Sequence, residues 1–335
     1  CADEADPADL TIGSVEFEAT PEFVADAAER STGEPYRVEV DLSFQIGAGG
    51  DASGPPFMTG EFDGDSSSTE TDMGAMFGEI DDLAPPGEGV FDEFTKADLT
   101  METITEGSTL YLRAPLYSAL REMMPGGLPA QFDALADLGD EWGRVDLEAL
   151  GSEFGWADVA SSAGGQVADP SDYLDLVADT DDVRDLGAGD VRGDEVHGVA
   201  ADVTYADVLE SQGVDREDFA DLMTSAMPEG GPGAQELADV VDAVLDTPMP
   251  IELWVDGAGY VRKLEFTMNM GAMFEGVDGG DDAAAMIGAA SFGTAMEFFD
   301  YGDETIDIDV PAAARDAADV TDAYRQMLGM GSENA

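Results

Sequence analysis

Basic side chains are scarce in this sequence. Thirteen Lys and Arg stand against 75 Asp and Glu, which leaves a formal net charge of −62 over 335 residues. Lysine is nearly absent, with Lys96 and Lys263 alone. The shortage excludes whole classes of partner. A phosphate backbone would be repelled, so no nucleic acid is expected. Anionic lipid surfaces would repel the body too, so membrane attachment needs something other than charge. Histidine is limited to His197 and cysteine to Cys1. Zinc chemistry is therefore poorly supplied. A lone cysteine also rules out an intrachain disulfide. No run approaches the roughly 18 apolar residues that a membrane-spanning helix needs.

What is present fits a folded chain. The hydrophobic share of 44% is ordinary and allows a buried core. Self-repulsion at this charge should destabilise the compact state in dilute salt. Screening relieves it, because the Debye length falls to about 3 Å near 1 M salt. The composition therefore reads as an exterior adapted to salt-rich surroundings. A protein built to hold many divalent cations fits it as well. Cys1 reads as the acylated cysteine of a processed lipoprotein whose signal peptide has been removed. Two or three acyl chains there would give stable anchoring, where one chain binds only marginally. The expected location is the extracytoplasmic face of the cell membrane. Residues 1–19, with Asp3, Glu4, Asp6, Pro7 and Asp9, read as a lipidated N-terminus and acidic tether.

Residue patterns place the elements. Thr20-Pro21-Glu22 is a helix start, followed by the apolar stripe Phe23, Val24, Ala27 and Ala28. Val38, Val40, Leu42, Phe44 and Ile46 then alternate with Arg37, Glu39, Asp41, Ser43 and Gln45. Such a period of two, with one polar face, is the antiparallel habit. Residues 57–63 and 66–77 predict a hairpin around Asp63-Gly64. Residues 99–104 and 109–112 predict another about Glu106-Gly107. Helical patterns follow at 116–124 and 132–138, and a short strand at 142–147. A helix is expected from Asp169-Pro170 to about residue 178. Strand 196–205 places Val199, Ala201, Val203 and Tyr205 on one face. Helices are expected at 216–223 and 234–245. Ile251, Leu253 and Val255 form a strand that turns at Asp256-Gly257. It returns over 261–270 with Leu264, Phe266, Met268 and Met270 on one side. Trp254 is out of phase and faces the other way. The last strands fall at 291–300 and 305–310, and a helix at 320–328. Segregated strands and helices predict an α+β fold, with helices on one face of an antiparallel sheet.

Catalytic patterns are missing. His197 reads as a surface residue at the start of a strand, and no G-x-S-x-G elbow accompanies it. Ala160-Ser161-Ser162-Ala163-Gly164 lacks the first glycine of that elbow. No P-loop is present. Carboxylate pairs carry no information in so acidic a chain. An enzyme is not expected, nor a cofactor or metal. Two acidic turns have oxygen ligands suited to Ca²⁺: Asp63-Gly64-Asp65 with Ser67, and Asp278-Gly279-Gly280-Asp281-Asp282. Neither completes an EF-hand loop.

The order of segments resembles a family. The strand YRVEVDLSFQIG, the hairpin LTMETITEGSTLYLR and the segment WGRVDLEAL open it. The segments PIELWVDGAGYVRKLEF and YGDETIDIDVP are its most specific parts. Together they resemble the LolA-like lipoproteins of actinobacteria, the LppX/LprG type. The resemblance implies a strongly curved antiparallel sheet, a half-open β-barrel, with helices covering the concave face. It also implies an apolar cavity that takes acyl chains. One LolA-like domain over 20–328 would follow, with a loose tail at 329–335.

Candidate cavity residues are Val40, Leu42, Phe44, Met101, Leu112, Met123, Met124, Val203, Leu264, Phe266, Met268 and Met270. Sixteen Met residues would suit a pocket that accepts flexible chains, though Met also fills core gaps. Met123-Met124-Pro125-Gly126-Gly127 reads as a lid or as a plain interhelical turn. The functional expectation is a monomeric, anchored protein that binds or carries a lipid or other hydrophobic ligand. The alternative is an acidic cell-surface structural or cation-binding lipoprotein with no ligand cavity.

Overall fold

The computed structural model describes residues 11–12, 15–16, 21–31, 34–46, 56–63, 66–75, 97–123, 128, 132–147, 176–177, 180, 183–211, 216, 245–269 and 290–315. In chain order the elements begin with β1 (Thr11–Ile12), β2 (Val15–Glu16), α1 (Pro21–Ser31), β3 (Tyr36–Ile46), β4 (Met58–Asp63), β5 (Ser66–Asp72), β6 (Thr100–Glu106) and β7 (Thr109–Arg113). They continue as α2 (Pro115–Met123), α3 (Asp133–Ala136), β8 (Gly143–Asp146), β9 (Arg184–Val191), β10 (Asp194–Thr204), α4 (Tyr205–Ser211), β11 (Pro248–Asp256), β12 (Val261–Asn269) and β13 (Ala290–Phe299). The chain divides into two compact units. One comprises residues 1–34, 168–225 and 229–301; the other comprises 35–167, 226–228 and 302–335.

The second unit carries a meander in the order β8-β7-β6-β5-β4-β3, antiparallel throughout. Its buried face begins as expected, with Val38 and Val40 inward on β3. Further along it becomes hydroxylic. Thr69 pairs with Thr103 across β5 and β6, and their hydroxyls lie 2.6 Å apart. Ser67, Thr71 and Thr105 are buried beside them. Beyond β6 the face turns apolar again. Leu110, Leu112, Ala114, Leu135, Leu138, Val145 and Leu147 form one cluster, with Met101, Tyr117 and Phe132 packed against it. α2 and α3 close over it: Tyr117 stacks on Phe132 at 5.4 Å, and the Ser118 hydroxyl donates to the Ala136 carbonyl. Burial there raises the Tyr117 hydroxyl above its ordinary value.

The first unit carries the order β13-β12-β11-β10-β9, again antiparallel. α1 lies against β12, with Val24 and Ala27 buried. The Ser31 hydroxyl at the helix end donates to the Ala27 carbonyl and accepts the Val261 amide. Arg30 donates to the Ala258 carbonyl at 3.0 Å. Its Cδ occupies the space a Cβ on Gly259 would need, and Gly259 has φ +90°. Glycine is therefore required in that turn.

Several expectations change. β5 ends at Asp72, and Met73–Ala75 form a helical turn, because the Asp72 carboxylate caps the amides of Gly74 and Ala75. Tyr205 opens α4 instead of ending a strand. Residues 305–310 form no strand. There Asp303 caps the Thr305 amide, and the Ile306 amide bonds the Asp303 carbonyl, which makes a turn. The chain then bridges Gly143 through Arg315. Inside the stretch read as a tether, β1 pairs with β2 and lies against β10. β9 was not anticipated. The helices expected at 216–223 and 234–245 lie outside the described residues except for Arg216 and Leu245, as do 169–175 and 320–328.

Candidate functional site

The first unit has an apolar face built by strict alternation. Met249, Ile251, Leu253 and Val255 are buried on β11, with Glu252 and Trp254 between them. Register sets Val203 opposite Met249, Ala201 opposite Ile251 and Val199 opposite Leu253. On the other side Leu264 faces Leu253, and Phe266 faces Ile251. Of the candidate cavity residues, Val203, Leu264 and Phe266 are thus brought onto one face. Val203 and Leu264 are buried, and Phe266 is partly exposed.

The remaining candidates divide. Val40 is buried and Leu42 half-buried on β3. Leu112 and Met101 belong to the packed cluster under α2 and α3. Met123 is half-buried at the end of α2. Phe44 and Met268 hold strand positions, but their side chains lie outside the described residues, as do Met124 and Met270 entirely. Of the acidic turns, Asp63 is exposed at the end of β4 and Ser67 is buried on β5; Gly64, Asp65 and 278–282 are outside the described residues.

His197 is not a surface residue. It is 1% exposed and shares the face of Val199 and Ala201. Its Nε2 lies 2.7 Å from an Asp185 carboxylate oxygen on β9. The sequence held the signal, since the alternation of Val199, Ala201 and Val203 extends back to it.

Trp254 faces the opposite side, as its phase predicted. Its indole covers Gly198 on β10 and Gly189 on β9, where an added Cβ would come within 2.8 Å and 2.4 Å of the ring. Gly198→Ala is expected to cost about 1–3 kcal/mol through this overlap. Denaturant unfolding checks it, and the same change in a Trp254→Ala background should cost clearly less.

A polar pocket of about 400 Å³ lies at the β9–β10 turn and the end of β13. Arg192 and Gly193 form the turn with φ of +53° and +90°, the two-residue hairpin geometry. The Arg192 guanidinium donates to Glu297 at 2.8 Å and sits 4.1 Å over the Phe299 ring. Arg262 donates to Asp256 at 2.6 Å and lies 3.7 Å from Asp194. It also approaches Tyr301, which stacks on Tyr260. The Tyr260 hydroxyl is raised from its ordinary value, first by burial and then by the Glu34 carboxylate.

No protein-family model and no curated protein matches this sequence. Among solved structures, the chain is similar to LprF from Mycobacterium bovis, with 10% identity and a TM-score of 0.38 over 88% of this chain and 97% of that one. It is similar to LppX, a lipoprotein of Mycobacterium tuberculosis, with 9% identity and a TM-score of 0.38 over 86% and 99%. LppX belongs to the group that the order of segments resembles. A DUF1329 family protein from Desulfovibrio piger aligns with a TM-score of 0.18 and 10% identity over 86% and 93%. Overlaps this loose carry no functional argument, so function rests on the residues themselves.

Proposed function

We propose that this chain is an extracytoplasmic lipoprotein, acylated on Cys1, that binds a hydrophobic ligand such as a lipid against the apolar face of its first unit. The observation that carries this reading is the in-register run of Val199, Ala201, Val203, Met249, Ile251, Leu253, Leu264 and Phe266. Affinity would come from apolar burial at roughly 25 cal/mol per Å². Phe266 is the part of the face within reach of a ligand, being partly exposed. The attachment half of the reading rests on Cys1 as the only thiol, followed by an acidic stretch.

Native mass spectrometry of the chain without Cys1, purified in high salt, tests the binding half. Extra mass that organic extraction resolves into lipid is expected. Phe266→Asp should remove it while other surface changes do not. A clean apo mass, with no uptake of offered phospholipids, would sink the proposal. The second reading is an acidic, salt-adapted structural or cation-binding lipoprotein. It is favoured by the packed Leu110–Leu112–Leu135 cluster, where two candidate residues serve as filled core.

A further inference from the structure

We propose that the outer edge of β9 is a docking strand for a basic, extended segment of another protein, which would add to the sheet as a further antiparallel strand. β9 ends the strand order of the first unit, and among the described residues no strand pairs with its outer side. A strand so placed bonds one neighbour only, so alternate residues turn their amide and carbonyl groups outward. Its side chains leave this edge open to solvent: Arg184, Asp185, Leu186, Ala188 and Asp190 are all exposed.

Proteins usually blunt such an edge. The second unit does so. Its end strand β8 has four residues. Beside it the Arg144 amide donates to the Arg315 carbonyl at 3.2 Å, and the Arg315 amide donates to the Trp142 carbonyl at 2.7 Å. β9 has eight residues, with neither proline nor lysine. Its bulge falls at Leu186, so residues 187–191 pair with β10 without interruption. Leu186 is itself 38% exposed, the one large hydrophobic side chain so exposed among the described residues. It offers an apolar contact to an incoming chain.

Charge selects the occupant. Asp190 lies directly opposite Glu195 of β10, and both are exposed. Like charges so placed repel. The two arginines that bound the strand do not relieve them, since Arg184 pairs with Asp202 and Arg192 with Glu297. Asp185 stands on the same face further along, because its neighbour Val199 and the Glu195 opposite Asp190 are four residues apart on β10. An antiparallel chain would meet the two carboxylates with side chains four residues apart, and basic ones there would be attracted. A second copy of this chain would instead bring a further net charge of −62 to the edge.

Hydrogen exchange of the full chain, read by mass spectrometry in about 1 M potassium chloride, tests this. There the Debye length of about 3 Å removes long-range attraction to so acidic a protein and leaves contact pairs. The probe is the capped heptapeptide TKVTVKT, whose lysines are four apart. Two counterparts carry N-methyl groups on alternate amides, one in each phase. Pairing through one edge tolerates methylation in one phase and not in the other. Exchange across residues 184–191 is expected to slow with the parent peptide and with one counterpart only. Ala188→Lys, which puts a like charge between the carboxylates, should weaken binding by about tenfold or more, and Ala312→Lys, at an exposed position off the edge, by less than about twofold. If Ala188→Lys loosens β9 itself, the two methylation phases still decide. No protection of 184–191, equal binding of both counterparts, or equal effects of the two lysine substitutions in folded chains would overturn the proposal. So would protection that rises with protein concentration in the absence of peptide, which would assign the edge to a second copy.

Discussion

Asp256→Ala is expected to lower the stability of the first unit by about 3–5 kcal/mol, the usual consequence of breaking a buried ion pair from one side. Asp256 ends β11 and is 6% exposed. One carboxylate oxygen accepts the amides of Ala258 at 2.8 Å and Tyr260 at 3.0 Å. The other accepts Arg262 Nε at 2.6 Å. Alanine removes both acceptor oxygens and so all three hydrogen bonds together. Two turn amides lose this acceptor, and among the described residues Arg262 is left with Asp194 at 3.7 Å and the Tyr301 ring. An unsatisfied buried donor costs about 1–3 kcal/mol by itself. The same turn also anchors α1, through Arg30 on the Ala258 carbonyl and Ser31 on the Val261 amide. Loosening it should therefore reach the helix as well as the hairpin. Urea unfolding at constant salt measures the loss. Asp256→Asn retains an acceptor oxygen and should lose less than alanine. A loss below about 1 kcal/mol for Asp256→Ala, within the range of ordinary surface changes, would mean the carboxylate does not hold the turn.

The sequence disclosed this hairpin because each signal in it is local. Ile251, Leu253 and Val255 alternate, Asp256-Gly257 marks the turn, and Leu264 and Phe266 resume the phase. β3 was legible for the same reason. β9 was not, because Arg-Asp-Leu-Gly-Ala-Gly-Asp-Val has neither alternation nor β-branched bulk before its last residue. Its place comes from pairing with β10, and Gly189 is there to admit the Trp254 ring. β5 was legible as the second arm of the Asp63-Gly64 hairpin, but the burial of its face was not. Ser66–Asp72 contains no apolar residue, yet Ser67, Thr69 and Thr71 are buried through hydroxyl packing across the sheet. Residues 305–310 failed in the opposite direction. Ile306, Ile308 and Val310 alternate, but the Asp303 turn takes the backbone hydrogen bonds a strand would have used. The Asp303 carboxyl is held below its ordinary value by the Thr305 amide and hydroxyl and by Arg37. The polar pocket was illegible for a simpler reason. Arg192, Arg262 and Tyr301 come from three separate stretches, and only the strand order brings them together. The apolar face was legible in its alternation, whereas its neighbours across the sheet were set by register.

Salt should act on this protein more strongly than any point substitution. The basic residues are already committed locally. Arg37, Arg113, Arg121, Arg184, Arg192, Arg216, Arg262, Lys263 and Arg315 each form an ion pair with a nearby carboxylate. Even if all 13 basic groups were so paired, 62 carboxylates would remain uncompensated. Their repulsion falls most heavily on the compact state, where the charges are closest. At 0.1 M salt the Debye length of about 10 Å lets neighbouring surface carboxylates interact, while near 1 M it shrinks to about 3 Å. Lowering potassium chloride from about 3 M to 0.1 M is therefore expected to remove about 5 kcal/mol, a thermal midpoint drop of roughly 7 °C for a chain of 335 residues. Calorimetry across that series measures it. The same series with calcium separates the two readings of the composition. If screening alone stabilises the fold, millimolar CaCl₂ at matched ionic strength adds nothing beyond the potassium salt. If the carboxylates are grouped to hold divalent ions, millimolar calcium restores the midpoint at low ionic strength, because linkage to a specific site depends on ion identity and not on ionic strength. A midpoint that stays flat from 0.1 M to 3 M would show that the folded chain tolerates its charge without either, and would remove the salt-adapted exterior as an explanation of the composition.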